Sequence, residues 1–269
     1  MKRHSIEIQR GDRFEFGANW ARFLSVLDDE RIEEAKASLL HMLNIETLTG
    51  KTFLDIGSGS GLFSLAARML GAKVLSFDYD PQSVACTTEL NYRSFPEDKE
   101  WVIEEGSVLD MDYLSRLGLW DFVYSWGVLH HTGHMWEALG NVIPLVKDHG
   151  KLFISIYNDQ GGASIRWKML KSLYNKHPLL RIPLITYTLI RQWGLTFIKK
   201  IFYGQPLASW TNYKKSRGMS PWHDLVDWIG GYPFEVAKPE EIFDFYRKNG
   251  FMLEKLKTCG GGLGCNQYV

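Results

Sequence analysis

Two acids and a glycine-rich segment form the part of this sequence best suited to chemistry. An apolar run ends at Asp55 and leads into a turn that contains Gly57, Gly59 and Gly61. Glycine lets the backbone approach a ligand closely, and the start of the following helix adds free N–H groups. A second acid, Asp78, ends the next apolar run, where a carboxylate can accept hydrogen bonds from the two hydroxyls of a ribose. The pattern predicts a site for a cofactor that carries a nucleoside.

The spacing of the glycines distinguishes between a dinucleotide and other nucleoside-bearing cofactors. Dinucleotide sites use G-x-G-x-x-G, whereas this chain has G-x-G-x-G and places Leu62 where the third dinucleotide glycine would stand. Asp55 precedes the first glycine by two residues, and its carboxylate would repel a pyrophosphate but suits a ligand with a cationic amino-acid end. A strand-to-helix turn without any cofactor is the structural alternative for a glycine motif alone.

The segment Leu54–Gly61 resembles motif I of the class I S-adenosylmethionine-dependent methyltransferases. Further segments resemble other parts of that family in the family's order: its second strand, the loop beside the adenine, the fourth strand with its paired histidines, and the step into the fifth strand. These segments are residues 73–81, 105–110, 120–131 and 149–156. The resemblance covers roughly residues 50–157.

The resemblance implies S-adenosyl-L-methionine as the cofactor and a set of residues that contact it. The implied cofactor-binding residues are Asp55, Gly57, Ser58, Gly59, Gly61, Asp78, Tyr79, Ser107, Val108 and Trp126. Many family members carry an acid where this chain has Ser107, so the adenine amino group is expected to meet a backbone carbonyl or a hydroxyl here. No metal site is expected, because Cys259 and Cys265 have no partner ligands nearby.

Apolar runs alternate with helical patterns along the chain, which predicts a parallel sheet with helices on both faces. The predicted fold is α/β: a Rossmann-like methyltransferase sheet, mostly parallel with its last strand antiparallel, and a helical cap inserted after the fifth strand. The predicted units are 1–157, an N-terminal helix and the cofactor-binding core; 158–237, the basic cap and an aromatic loop; and 238–269, the last helix and a strand hairpin. The spacing of apolar residues predicts one helix over about residues 19–44.

The insertion carries a strong charge imbalance. Residues 158–220 hold eleven Lys or Arg and one acid. The remaining chain holds 20 basic and 30 acidic residues. The net charge of zero is therefore the sum of a basic insertion and an acidic remainder. Basic and apolar residues are interleaved in 179–203, too finely for a membrane-spanning helix. Three interpretations stay open: a helical lid or homo-oligomer contact, a surface for an acidic or lipid-linked substrate, or peripheral membrane contact through 179–203. No nucleic-acid partner is expected, because no nucleic-acid-binding module is recognised.

Methyl transfer to a hydroxyl needs a base with a pKa near neutral, and histidine fits that role. The candidates are His130 and His131 after the fourth strand, and His223 with Asp224 beyond the insertion. The carboxyl ends of parallel strands carry the site in such sheets, which favours the first pair.

The sequence therefore predicts a cytoplasmic enzyme that transfers a methyl group from S-adenosyl-L-methionine to a small-molecule or glycan acceptor, at a hydroxyl. A non-catalytic protein that keeps the fold for cofactor binding or interaction is the alternative. An NAD-dependent oxidoreductase is disfavoured by the glycine spacing. The N-terminal residues lack the apolar core of a signal peptide.

Overall fold

The computed structural model describes residues 2–202 and 221–269. In this part of the chain, seven strands form one sheet in the order β3-β2-β1-β4-β5-β7-β6. The strands are β1 (Thr52–Ile56), β2 (Lys73–Asp78), β3 (Trp101–Glu105), β4 (Trp120–Trp126), β5 (Val146–Tyr157), β6 (Leu256–Lys257) and β7 (Cys265–Tyr268). β1 to β5 pair in parallel, and β7 runs antiparallel to both of its neighbours. The predicted Rossmann-like methyltransferase topology is confirmed.

Eleven α-helices accompany these strands in the described residues. They are α1 (Lys2–Arg10), α2 (Gly17–Leu24), α3 (Asp29–Leu43), α4 (Leu62–Met69), α5 (Pro81–Ser94), α6 (Met111–Leu114), α7 (Met135–Asn141), α8 (Gly162–Lys176), α9 (Arg181–Phe202), α10 (Pro221–Gly230) and α11 (Pro239–Lys248). Short 3₁₀ helices cover Leu129–His131, Ile143–Leu145 and Pro178–Leu180.

The sheet is buried on both faces, which explains the continuous apolar runs of its central strands. Alternate side chains of β1 point to opposite faces. Leu54 and Ile56 pack with α7 and α11, whereas Phe53 packs with α3, α4 and α5. Asp55 shares the face of Phe53 and is therefore directed at α4.

The N-terminal part differs from the prediction of a single helix over 19–44. The chain breaks after Leu24, and α3 starts where the Asp28 side chain accepts a hydrogen bond from the Arg31 N–H. An N-cap of this kind stabilises a new helix start. The sequence analysis also did not identify α1, whose pattern is largely polar.

One buried carboxylate, Asp80, contacts the first two helices just beyond the end of β2. Asp80 caps α5 by accepting the Gln82 N–H at 2.9 Å, and it also accepts the Gly17 N–H at 2.8 Å. His4 of α1 lies with its Nε2 atom 3.8 Å from Asp80 Oδ2. A Cβ atom on Gly17 would lie 2.7 Å from the same carboxylate, so only glycine allows α2 to start this close. We call residues 2–24 the N-terminal lid, since they lie over the carboxyl ends of the strands.

The predicted helical cap follows β5, and its described part consists of α8, α9 and α10. Trp167, Tyr174, Ile229 and Phe234 form a separate small core that holds these helices together. The fully buried ammonium of Lys171 donates a hydrogen bond to the Trp228 carbonyl and lies 4.3 Å from the centre of the Trp228 ring. The cap is thus anchored to the segment that leads back to the core. None of the helices in the described residues is both long enough and apolar enough to cross a membrane.

Replacing Asp80 by Ala should release the N-terminal lid in addition to uncapping α5. Asp28→Ala is the matched control, because it removes an N-cap that is hydrogen-bonded to Arg31 of its own helix, α3. Each variant should lose about 1 kcal/mol of unfolding free energy from the cap itself. Only Asp80→Ala should also speed hydrogen exchange and proteolytic cleavage within residues 2–24. Equal exchange rates of the lid in both variants would show that Asp80 does not hold it.

Candidate active site

A large cleft lies at the carboxyl ends of β1, β2 and β4, where ligands bind in open α/β sheets. Its volume is about 1310 Å³. The floor comes from residues 55–60, Leu62, Phe63 and the ends of β2 and β4, and the roof comes from the N-terminal lid, including Arg13, Phe16 and Trp20. The cleft therefore combines the predicted cofactor motif with a roof that the motif analysis did not foresee.

The glycine loop has the backbone geometry that its sequence predicts. Gly57 and Gly59 have φ angles of 79° and 57°, a region that favours glycine. A Cβ atom on Gly57 would lie 2.5 Å from a methyl group of Val128, and one on Gly59 would lie 3.0 Å from the indole of Trp20. The loop therefore lies close against Val128 and Trp20, and a side chain at either glycine would collide with them.

Asp78 fixes this loop to the second strand. Its carboxylate accepts the Gly59 N–H and the Asp80 N–H, each at 2.9 Å. An ionised carboxylate can accept about four hydrogen bonds, so capacity remains for a diol. Burial raises the pKa of Asp78 to about 6, against the opposing effect of these backbone N–H groups.

Asp55 lies at the other end of the loop in a buried polar network. The hydroxyl of Ser64 donates to Asp55 and lies 2.6 Å from the Ser76 hydroxyl. Burial, with a smaller effect from the charge of Asp78, raises the pKa of Asp55 to about 7. A cation placed beside this carboxyl would favour its charged form. The tyrosine hydroxyl of Tyr124, also in the cleft lining, is buried without a hydrogen-bond partner and could pair with a polar group of the same ligand.

The other predicted cofactor residues can now be placed. The cleft lining includes Ser58, Tyr79, Ser107, Val108 and Trp126, together with Asp55, Gly57, Gly59 and Asp78. Gly61 is the exception. It starts α4 with a φ of 80°, and a Cβ atom there would lie 3.0 Å from Thr87. Gly61 therefore serves the packing of α4 against α5 and does not line the cleft.

The paired histidines separate into two different environments. His130 is fully buried, packs against Tyr157 with ring centres 4.1 Å apart and ring planes tilted by 47°, and is not part of the cleft lining. Burial lowers the pKa of His130 well below its ordinary value. His130 therefore lies apart from the cleft lining, and its contact with an acceptor stays a prediction.

His131 lies in the cleft wall. Its Nδ1 atom is 2.6 Å from the Pro233 carbonyl oxygen, which requires Nδ1–H as the donor and leaves Nε2 with its lone pair. Burial is the main reason that the pKa of His131 falls to about 3. The ring is consequently neutral at physiological pH. Arg13 donates to the His131 carbonyl at 3.0 Å, and the Phe16 ring centre lies 5.0 Å away.

The other predicted pair, His223 and Asp224, lies on α10, but both side chains fall outside the described residues. Their roles remain predictions. Among the described residues, no group of three or more His, Cys, Asp or Glu side chains is arranged to hold a metal ion.

Sequence reasoning missed the lid as part of the site. Arg13 pairs with Glu7 at 2.8 Å, and Tyr79 donates its hydroxyl to Glu7 at 3.2 Å. These contacts join α1 to the end of β2 next to Asp78. The aromatic pair Phe14 and Phe16 immediately before α2 was the available signal, since such residues in a polar segment indicate a buried contact.

The glycine loop, the acid at the end of β2 and the buried acid of β1 fit a nucleoside joined to an amino-acid group. A family model for the methyltransferase domain matches residues 27–202, which is more than half of the chain. The chain belongs to this methyltransferase family. Its fold and its cleft agree with the class I members, which depend on S-adenosyl-L-methionine as cofactor.

Sequence relatives include two kinds of methyltransferase. The chain is 41% identical over 61 residues to the ribosomal protein L11 methyltransferase of Photobacterium profundum, which covers 22% of this chain and 21% of that protein. It is 22% identical over 282 residues to the mitochondrial ubiquinone biosynthesis O-methyltransferase of Schizosaccharomyces pombe, which covers 100% of this chain and 87% of that protein. The match to the L11 enzyme thus spans about a fifth of that relative.

Solved structures agree on the fold. Magnesium protoporphyrin IX methyltransferase from Synechocystis, with bound S-adenosylhomocysteine, aligns with a TM-score of 0.50 and 16% identity over 89% of this chain and 82% of that one. The methyltransferase in complex with the Trm112 activator of Haloferax volcanii aligns with a TM-score of 0.52 and 14% identity over 95% of both chains.

Asp78→Ala should weaken S-adenosylhomocysteine binding by about 1.5–3 kcal/mol, the range of hydrogen bonds to a charged group. Asp112→Ala is the matched control, because Asp112 also lines the cleft but is exposed and lies away from the glycine loop. Calorimetric titration of the folded variants measures the difference. Unchanged affinity in Asp78→Ala would remove this residue from the cofactor site.

The affinity for the cofactor should also fall as the pH is lowered. A bound ammonium and ribose favour the ionised forms of Asp55 and Asp78, whose pKa values in the free protein are about 7 and 6. Below about pH 7, binding must release protons, so the Kd of S-adenosylhomocysteine rises by up to about tenfold per pH unit for each proton. Asp55→Asn should lose the part of this dependence that is centred near pH 7. A Kd that stays constant from pH 8 to pH 5.5 in the wild type would contradict the assignment.

Proposed function

We propose that this methyltransferase transfers the methyl group of S-adenosyl-L-methionine to a hydroxyl oxygen of a small molecule or of a glycan. The observation that carries the proposal is the placement of the neutral His131 in the wall of a roofed cleft, with one ring nitrogen left for a hydroxyl. The chemistry supplied by the cofactor, when bound, is an electrophilic methyl group on a positively charged sulfur.

The size and roof of the cleft favour a small acceptor. Ligand pockets commonly measure about 300–1,000 Å³, and this cleft of about 1310 Å³ has room for a second molecule beside a cofactor. Residues of the lid helices α1 and α2 line it as well. Such a space suits a small molecule or the end of a glycan chain better than the folded surface of a protein.

His131 is held in one tautomer and one orientation. The Pro233 carbonyl fixes the proton on Nδ1, so the Nε2 lone pair can accept a hydrogen bond from an acceptor hydroxyl and then take its proton as the new C–O bond forms. A second group of importance is Arg13, which binds the main-chain carbonyl of His131 and so acts as a positioning residue. The pKa of His131 is about 3, so the ring stays unprotonated throughout the physiological range, but it is also a weaker base than the near-neutral histidine that best suits this role. Loss of activity below pH 7 is therefore expected to follow the two cofactor-site acids and not this histidine.

His131→Ala should lower the rate of methyl transfer by about 10², the lower end of the usual contribution of a general base, because the pKa of its ring is so low, with little change in cofactor affinity. The matched control is His134→Ala, since His134 also lines the cleft but has a side chain that is 68% exposed. The assay follows a radiolabelled methyl group from S-adenosyl-L-methionine into cell extract, and mass spectrometry then locates the methyl group in the product.

The outcome decides between the acceptor classes. An O-methylated small molecule or glycan, formed by the wild type and by His134→Ala and strongly reduced with His131→Ala, supports the proposal. Label found on protein or on a nitrogen atom would overturn the acceptor class while leaving the cofactor site intact. Equal rates in both histidine variants would overturn the role of His131.

A further inference from the structure

The outer face of the cap carries apolar side chains that nothing in the described residues covers. Leu179, Ile182 and Ile165 are 93%, 77% and 72% exposed. Two more residues on the same helices, Met169 and Ile190, are also largely exposed. They occupy α8, α9 and the short turn between them, so the exposed apolar side chains follow one helical hairpin.

These residues are not required for the packing of the cap. The inner face of α8 already buries Trp167, Lys171 and Tyr174, and α9 turns Leu184 and Ile185 inward. Isolated exposed apolar residues are ordinary on protein surfaces, whereas a cluster of them marks an interaction site. We call the exposed side chains of residues 165–191 the cap outer face.

The charge of the same surface is of one sign. The sequence from residue 160 to residue 202 contains no Asp or Glu. Arg166, Lys168, Arg181 and Arg191 are exposed beside the apolar residues. Arg181 additionally hydrogen-bonds the Tyr174 carbonyl at 3.3 Å, and Lys176 reaches Asp12 of the N-terminal lid at 3.7 Å. The cap outer face therefore mixes Ile, Leu and Met with cations, while the excess of acids lies elsewhere in the chain.

We propose that the cap outer face docks on the surface of an anionic lipid bilayer. An amphipathic helix that places apolar side chains beside Lys and Arg lies in the membrane interface, where it buries its apolar side chains and attracts anionic headgroups. The acidic remainder of the chain, with 30 acids against 20 bases, would be repelled by the same headgroups and so would face away. The charge distribution thus selects one orientation, with the cap toward the lipid.

Charge complementarity favours an anionic bilayer over a second copy of the chain as the partner of this face. A two-fold contact between two cap outer faces would place like charges opposite each other, which is destabilising. An anionic membrane instead neutralises every cation of the face at once. This surface is separate from the cleft, and its lipid binding does not depend on which acceptor receives the methyl group.

The test is co-sedimentation of the full chain with vesicles of phosphatidylcholine alone and with vesicles that contain phosphatidylglycerol. The wild type should bind the anionic vesicles, bind pure phosphatidylcholine at least tenfold more weakly, and lose affinity as salt rises. Replacing Arg166, Lys168 and Arg191 by Gln should weaken binding by about fivefold for each charge removed. Leu179→Asp with Ile182→Asp should abolish it.

Two matched controls separate this surface from general charge and hydrophobicity. Lys99, Lys248 and Lys257 are exposed on the acidic body, so their triple Gln variant should bind vesicles as the wild type does. Met252, which is 86% exposed, gives the apolar control Met252→Asp. Unchanged S-adenosylhomocysteine affinity in every variant shows that each one is folded and that the cofactor site is intact.

The proposal is overturned if the wild type does not bind anionic vesicles, if it binds both lipid compositions equally, or if the control variants lose as much binding as the cap variants. The cap outer face would be a self-association surface instead if the wild type does not bind vesicles but forms a dimer, and if Leu179→Asp with Ile182→Asp dissociates that dimer.

Discussion

The carboxylate of Asp78 is the contact on which the cleft depends. By accepting the Gly59 N–H, it holds the glycine loop against the end of β2, and its second oxygen orders the backbone at Asp80. Asp80 in turn caps α5 and holds the start of α2 through the Gly17 N–H, with His4 of α1 beside it at 3.8 Å. Two acids separated by one residue thus divide the work: the first shapes the floor of the cofactor site, and the second positions its roof.

The two buried acids of the cofactor site, Asp55 and Asp78, lower the folding stability of the ligand-free protein. The pKa values of Asp55 and Asp78 are raised by burial, so the folded protein binds these protons more tightly than the unfolded chain does. Their effect is to lower stability as pH rises from about 4, the ordinary Asp value, through about 7. A ligand that supplies an ammonium group and hydroxyls recovers this free energy on binding. A loss of stability of this kind is common where a site is organised for function.

The central sheet and most of the cofactor site could be predicted because they depend on local sequence patterns. β1 and β2 are apolar runs that end at acids, and the glycines follow at fixed spacing, so Asp55, Gly57, Gly59 and Asp78 reach one cleft. Gly61 follows the same pattern but serves helix packing, a distinction that depends on Thr87 of a neighbouring helix. His130 and His131 are adjacent in sequence, yet the structure buries one against Tyr157 and leaves the other in the cleft. Within the lid, α1 was not predictable from its own pattern, since it is polar and its place is set by tertiary contacts to Asp80 and Tyr79.

The central claim is that one cleft, built on the two acids of β1 and β2 and roofed by the N-terminal lid, holds S-adenosyl-L-methionine. A crystal structure of the full chain with S-adenosylhomocysteine tests it most directly. The account predicts ribose hydroxyls within hydrogen-bond distance of Asp78, the amino group of the ligand on the Asp55 side of the glycine loop, and Trp20 of the lid over the ligand. A ligand bound elsewhere, or bound in this cleft with its ribose away from Asp78, would contradict the account.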